Sequence, residues 1–233
     1  MNLIGIDISI DSTAVSIVRE NNSHKDLIIS NFTTLKKNVG WIRKIMEYID
    51  FEFINYTYKD IENYTEKEMM KLREFDHVTD LIYNKIIGNI DKNEKILVAV
   101  EGYNFNSFGN SIIDIVCFST LLRVKLLSLP GLEKIIIVSP KSIKSSIASM
   151  VYGFSIDKKG RKIINKNYGG VSGGNFDKKD IMIALFDMKI NNKLTEVLNK
   201  YKEELMNLKN VPKGIDDIID SYFIMRSLTI YEI

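Results

Sequence analysis

The sequence predicts an α/β fold: a mixed, five-stranded sheet with helices on both faces. Three observations carry the prediction. Three strand-like segments follow one another closely at the N-terminus. Two later segments are short, continuous apolar runs. Segments of helical spacing alternate with those runs.

Met1–Ile6 is apolar apart from Asn2 and Gly5, Thr13–Arg19 alternates with period two, and Leu27–Phe32 is a third strand. The gaps between them are short, so the three read as an antiparallel meander. A helical stretch follows around Val39–Ile49, while Phe51–Tyr64 is aromatic-rich and has no period that places it. Thr65 followed by Glu68 matches a capping box, and Met69, Leu72, Phe75, Val78, Ile82 and Ile86 continue at helical spacing to about Ile87. Ile96–Val100 reads as a strand buried on both faces. Ser111–Leu129 is a nearly all-apolar helix, and Lys134–Val138 a further strand stopped by Pro140. Helices over Lys178–Asp187 and Asp216–Ser227, with a charged helix near Leu194–Leu208 between them, complete the pattern. Gly153–Asn175, rich in glycine and lysine and without period, reads as a mobile loop or insertion in an otherwise single domain spanning 1–233.

With 233 residues, 45% hydrophobic and 27% charged, the chain has the balance of an ordinary globular protein with a proper core. Its net charge of +2 names no partner, so the distribution of charge matters more than its sum. The single cysteine, Cys117, excludes an internal disulfide framework and fits a reducing, cytoplasmic compartment. It lies in an apolar stretch and reads as a core residue. His24 and His77 lie far apart in polar surroundings without metal-ligand spacing, and read as surface residues. No basic leader precedes Met1–Ile6, so no secretory signal is expected. Asp114, Arg123 and Lys125 make Ser111–Leu129 a buried helix rather than a membrane span. The richness in Ile, Asn and Lys fits an AT-rich genome, such as that of a phage, virus or endosymbiont.

Acids at the ends of apolar runs carry the chemistry. Asp7 ends the first strand within GIDISID, and Glu101 ends ILVAVE. Burying an ionised carboxylate is costly unless it is paired or bound to metal, although an acid at a strand end also emerges into solvent readily. A third group lies in GIDDIIDSYF. At 100° per residue, Asp216, Asp217 and Asp220 share one helix face, opposite Ile215, Ile218, Ile219 and Tyr222. Acids also suit a helix's first turn, and Asp216 reads equally well as a cap. Hard cations such as Mg²⁺ or Mn²⁺ take oxygen ligands, and a pair of them stabilises both the attacking and the leaving oxygen of a phosphodiester displacement. No Walker A, HExxH or CxxC pattern is present, so no nucleotide cofactor is expected.

The order of these pieces, an acid in the first strand (GID-x-S), a glutamate ending a later strand (AVEGY) and a C-terminal helix with D-x-x-D, resembles the RuvC family of Holliday-junction resolvases. VSPKSIKSSI and DKKDIMIALF are also similar to that family's segment of a proline and lysine after the last strand, followed by a lysine-bearing helix. The resemblance runs from Asp7 to Asp220. It implies a ribonuclease H-like fold and a metal-dependent endonuclease that resolves four-way DNA junctions by symmetric paired nicks. Two Mg²⁺ per site are implied, with Mn²⁺ as a substitute, and Asp7, Glu101, Asp217 and Asp220 match the metal-binding acids. Asp216 competes with Asp217 for the third position. Lys141 or Lys144 matches the basic residues near the scissile phosphate. Tyr103 and Phe105 bracket the place, held here by Asn104, where the family puts a base-stacking aromatic. Ile8–Asp11 replaces the family's usual Gly-containing turn, and Gly153–Asn175 is longer than the family's loop.

From Pro140 to Asp180, Lys141, Lys144, Lys158, Lys159, Arg161, Lys162, Lys166, Lys178 and Lys179 stand against Asp157, Asp177 and Asp180. Nine cations less three anions leaves +6 locally. This reads as a solvated charged loop or as an arm gripping phosphates. Cutting two opposed strands implies a two-fold homodimer, with Ser111–Leu129 as a candidate interface. Three alternatives stand. One is a nuclease that cuts flaps and forks as well. Another is an actin-like or sugar-kinase-type phosphotransferase, suggested by GIDISIDSTAVSIV. The last is a non-catalytic DNA-binding or scaffolding relative, against which the four acids weigh.

Overall fold

The structure, a computed structural model, describes residues 1–21, 24–37, 39–102, 110–160, 162–164, 176–188 and 190–231; the side chains of 20–21, 24–25, 110–111, 162, 164 and 230–231 lie outside that description.

The N-terminal meander forms as expected: β1 (Asn2–Asp7), β2 (Ser12–Asn21) and β3 (His24–Thr33) pair antiparallel. β5 (Ile96–Glu101) lies parallel to β1, and β6 (Leu132–Val138) parallel to β5. The sheet has six strands rather than five, in the order β4-β3-β2-β1-β5-β6. The additional strand, β4 (Asp50–Phe53), lies parallel to β3 at the edge. It occupies part of the aromatic segment that has no period. Four half-exposed residues are too few to show one.

Helices cover both faces. α2 (Tyr64–Asn89) and α3 (Asn110–Leu126) pack on one side, over Ile4, Ile6, Val15, Ile17, Val98 and Val100. On the other side, α4 (Pro140–Tyr152), α5 (Lys178–Asp187), α6 (Lys193–Lys200) and α8 (Ile215–Tyr231) cover Leu3, Ala14, Val18, Leu97 and Ala99. The short helices α1 (Gly40–Ile45) and α7 (Lys202–Asn207) flank that second layer. The charged segment near Leu194–Leu208 is thus two helices, broken at Tyr201. The Tyr201 ring meets Trp41 edge-on at 5.8 Å, and its hydroxyl donates to the Lys44 carbonyl at 3.1 Å.

Three further differences have local causes. α2 begins at Tyr64 because the Asn63 side chain accepts from Glu66 N at 3.0 Å, which moves the start ahead of Thr65. Pro140 does more than stop β6. Ser139 caps α4 by accepting from Ser142 N at 3.1 Å, and Pro140 sits in the first turn, where its missing N–H costs nothing. Finally, the stretch expected to be a structureless loop holds a small hairpin, β7 (Phe154–Ile156) and β8 (Lys162–Ile164). Among the described residues, no helix is long and apolar enough to cross a membrane.

Candidate active site: an acid cluster at the sheet's C-terminal edge

Strand periodicity builds the first half of the site. Leu3 and Leu97 face the α8 layer, so Gly5 and Asp7 on β1, and Ala99 and Glu101 on β5, face it as well. β1 and β5 run parallel with Ile6 opposite Val100, so the next step brings Asp7 beside Glu101. The two carboxyl groups lie close enough that Glu101 raises the Asp7 carboxyl. The Arg123 guanidinium, from α3, donates to the Glu101 carbonyl at 3.2 Å and fixes the end of β5.

α8 supplies the second half, and it comes very close. A Cβ on Gly5 would lie 2.2 Å from Met225 N and 2.3 Å from the Ser221 carbonyl oxygen, so only glycine fits there. Beside it, the Ser16 and Ser221 hydroxyls are hydrogen-bonded at 2.8 Å. Ile215, Ile218, Ile219 and Tyr222 are buried, as the helical spacing predicts. The opposite face carries Asp216, Asp217 and Asp220 toward the strand ends. Asp217 Oδ2 accepts from Ser12 Oγ at 2.5 Å and from Gly214 N at 3.2 Å. Lys178, in the first turn of α5, is ion-paired with Asp216 and lies 3.7 Å from Asp220 Oδ2. The neighbouring Lys179 turns away, donating to the Met206 and Leu208 carbonyls at the end of α7 at 3.0 and 2.6 Å.

The electrostatics follow from burial. Asp7 is 7% exposed and Asp217 6%. Burial raises the Asp7 carboxyl well above the usual carboxylate range, and Glu101, Asp220 and Asp217 push it further. Burial also raises Asp220, to about 7, with Lys178 opposing and Glu101, Asp216 and Asp217 adding to the shift. Asp217 is raised by burial and by Asp216, against the Ser12 hydrogen bond, Lys178 and Lys213. At Lys178, burial lowers the ammonium, but Asp220 and Asp216 outweigh it and the net shift is upward. Acids drawn together with too little compensating charge suit a divalent cation held by oxygen donors. The cage is not preformed. Among the described residues, no group of three or more acid, histidine or cysteine side chains stands ready to hold an ion. Asp216 and Asp220 are turned to Lys178, while Ser12 holds one oxygen of Asp217.

The other expected site residues fall into three groups. Lys141 and Lys144 ride the first turns of α4, which begins just past Val138, the register partner of Glu101. Lys158 and Lys159 are exposed at the turn of the β7–β8 hairpin. Tyr103, Phe105 and Arg161 lie outside the described residues, as does the Lys162 side chain. Sequence reasoning missed Ser12, Gly5 and the particular role of Lys178. The signals were small residues two positions from Asp7 and across the meander, and a lysine pair opening a helix. The turn Ile8–Asp11 is pinned from several sides. Tyr56 donates its hydroxyl to the Ile10 carbonyl at 3.1 Å, Thr34 N donates to the Asp11 carbonyl at 2.9 Å, and Lys59 pairs with Asp11 at 3.3 Å. A cleft of about 670 Å³ lined by Tyr152, Phe186, Asp187 and Lys202 shares no residue with the acid cluster.

No family model matches the chain, and no curated protein does so either. Among solved structures it is similar to Thermus thermophilus RuvC, at 10% identity and a TM-score of 0.42, covering 98% of this chain and 96% of that one. It is similar also to T. thermophilus RuvC in complex with a Holliday junction substrate, at 9% identity and a TM-score of 0.43, with coverage of 98% and 96%.

Proposed function

We propose that this chain is a metal-dependent endonuclease acting on branched DNA, and that its substrate is the four-way junction, cut by paired nicks. One observation carries the reading. Asp7 and Glu101, side by side on parallel strands, share a buried spot with Asp220 and Asp217, and burial, with the neighbouring acids adding to it, holds Asp7 and Asp220 well above the usual carboxylate range. A fold spends stability on such a cluster where a function needs it.

Asp7, Glu101, Asp217 and Asp220 would hold Mg²⁺ or Mn²⁺, with Asp216 left to its pairing with Lys178. Such ions would activate water and offset the charge that develops in a phosphodiester displacement. The residues of the chain do the rest. Ser12 and Gly214 N aim the Asp217 carboxylate. Lys178 offsets the charge of Asp216 and Asp220. Lys141 and Lys144 meet phosphates beside the strand end, where a cation stabilises developing negative charge.

Two opposed cuts need two sites, and α3 offers a face for a second copy. Ile113, Val124 and Leu127 are 64%, 60% and 66% exposed. At 100° per residue they fall within an arc of about 60°, a largely apolar stripe that continues one residue past α3 and also holds the exposed Thr120. Such a stripe suits an isologous contact.

The deciding experiment is incubation with a labelled four-way junction, linear duplex, flap and single strand, with Mg²⁺, Mn²⁺ or EDTA. Paired symmetric nicks confined to the junction and abolished by EDTA are expected. Metal-dependent cutting of every branched form keeps the site and broadens the substrate. No cutting in any condition sinks the nuclease reading and turns attention to nucleotide binding.

A further inference from the structure

β7 and β8 pair antiparallel, Phe154 with Ile164, Ser155 with Ile163 and Ile156 with Lys162. Strands this short do not hold a hairpin in water alone. This one rests against α4 through β8. Its turn is well specified. The Asp157 side chain accepts from Lys159 N at 2.8 Å, its carbonyl accepts from Gly160 N at 2.9 Å, and Gly160 takes a φ of 74°.

What this ribbon displays is unusual. Phe154, Ile156 and Ile163 are 47%, 59% and 49% exposed, beside the exposed Lys158 and Lys159. Alternation puts Phe154 and Ile156 on one face and Ile163 on the other. Apolar side chains next to a lysine pair match a polyanion with an apolar interior. Duplex DNA has phosphates outside and base faces within, and apolar side chains inserted at a base step unstack it and bend the helix.

Continuity with the acid cluster selects DNA among surfaces of that chemistry. α4 leaves β6 where Val138 pairs with Glu101 and accepts from Gly102 N at 2.7 Å. Its 13 residues reach about 20 Å, with Lys141 and Lys144 on the way. At 3.4 Å per base pair that is about six base pairs of duplex. We propose that the β7–β8 hairpin is a wedge that enters one duplex arm of the substrate within about six base pairs of the cut phosphate. Phe154 and Ile156 press between or against bases, while Lys158 and Lys159 hold the flanking phosphates. The proposal rests on the nuclease reading of the acid cluster.

The test uses the full chain carrying Asp7→Asn, to prevent cutting, with four-way junctions bearing 2-aminopurine at successive positions along each arm. A severalfold fluorescence rise is expected at one or two positions within about six base pairs of the crossover. Adding Phe154→Ser and Ile156→Ser should abolish the rise and weaken binding about tenfold, with an unchanged salt slope and unchanged melting. Lys158→Ala with Lys159→Ala should lower the slope of log affinity against log salt by about two. Flat fluorescence at every position overturns the wedge, as does full affinity in the double serine variant. So does co-sedimentation of the wild type with phosphatidylserine vesicles that the serine pair abolishes while 2-aminopurine stays silent; the hairpin then serves a membrane surface. The two readings fail separately. A chain with Asp7 intact that cuts no DNA with Mg²⁺ or Mn²⁺ removes the nuclease, whereas junction cutting with a silent hairpin removes only the wedge.

Discussion

Ser12 Oγ lies 2.5 Å from Asp217 Oδ2, joining the first residue of β2 to the first turn of α8 across 205 positions of sequence. The same hydroxyl lies 3.3 Å from Asn31 Oδ1, and Ser12 is fully buried. It therefore sets where the Asp217 carboxylate points. Ser12→Ala should cost about 1.5–3 kcal/mol, the usual loss for a hydrogen bond to a charged group. The Mg²⁺ dependence of cutting should move to higher concentration as Asp217 loses its aim. Thermal melts and a Mg²⁺ titration of junction cleavage check both effects.

Asp7→Asn removes a charge from the most crowded point of the cluster. Cutting should be abolished while junction binding persists, because in the proposed site Asp7 touches metal rather than phosphate. Loss of binding in a mobility-shift assay would instead make Asp7 a folding residue. In the absence of metal at pH 8, the variant should melt higher than the wild type by about 3 °C or more, since 1 kcal/mol is worth about 2–4 °C in a chain of this size.

The same burial, with the neighbouring acids adding to it, sets a pH dependence with a definite sign. Asp220 sits at about 7 against an ordinary 3.8, and Asp7 is shifted the same way. The folded state then binds more protons than the unfolded chain between those values, so stability falls as pH rises. For Asp220 the cost is absent below about pH 4 and complete once pH exceeds about 7. Calorimetry in EDTA should show the melting temperature declining from pH 5.5 to 8, and added Mg²⁺ should flatten the decline. A rise over that range in EDTA would contradict the raised carboxyls.

How much of this is legible in sequence depends on period. β1 and β5 alternate against a two-sided core, so the acids ending them had to share a face with Gly5 and Ala99. The spacing in α8 likewise separates its acids from its isoleucines. β4 is a half-exposed edge strand of four residues, too short to carry a pattern. α4 hid behind Pro140, which both stops a strand and opens a helix. Lys178 and Lys179 are adjacent and chemically identical; only the placement of α5 against α8 and beside the end of α7 sends one to the acids and the other to backbone carbonyls.

The apolar stripe on α3 predicts the assembly. Val124→Asp combined with Leu127→Asp places charges on side chains that are 60% and 66% exposed, so the protomer itself should fold normally. Light scattering should then find a 26.8 kDa monomer where the wild type runs at about twice that mass. The monomer should still nick a junction, one strand at a time, because the acid cluster belongs to a single chain. Paired nicks should therefore uncouple into single ones, visible as nicked junctions that accumulate before linear products. If the double variant remains dimeric, the two-fold contact lies elsewhere on the surface, and the stripe needs another occupant.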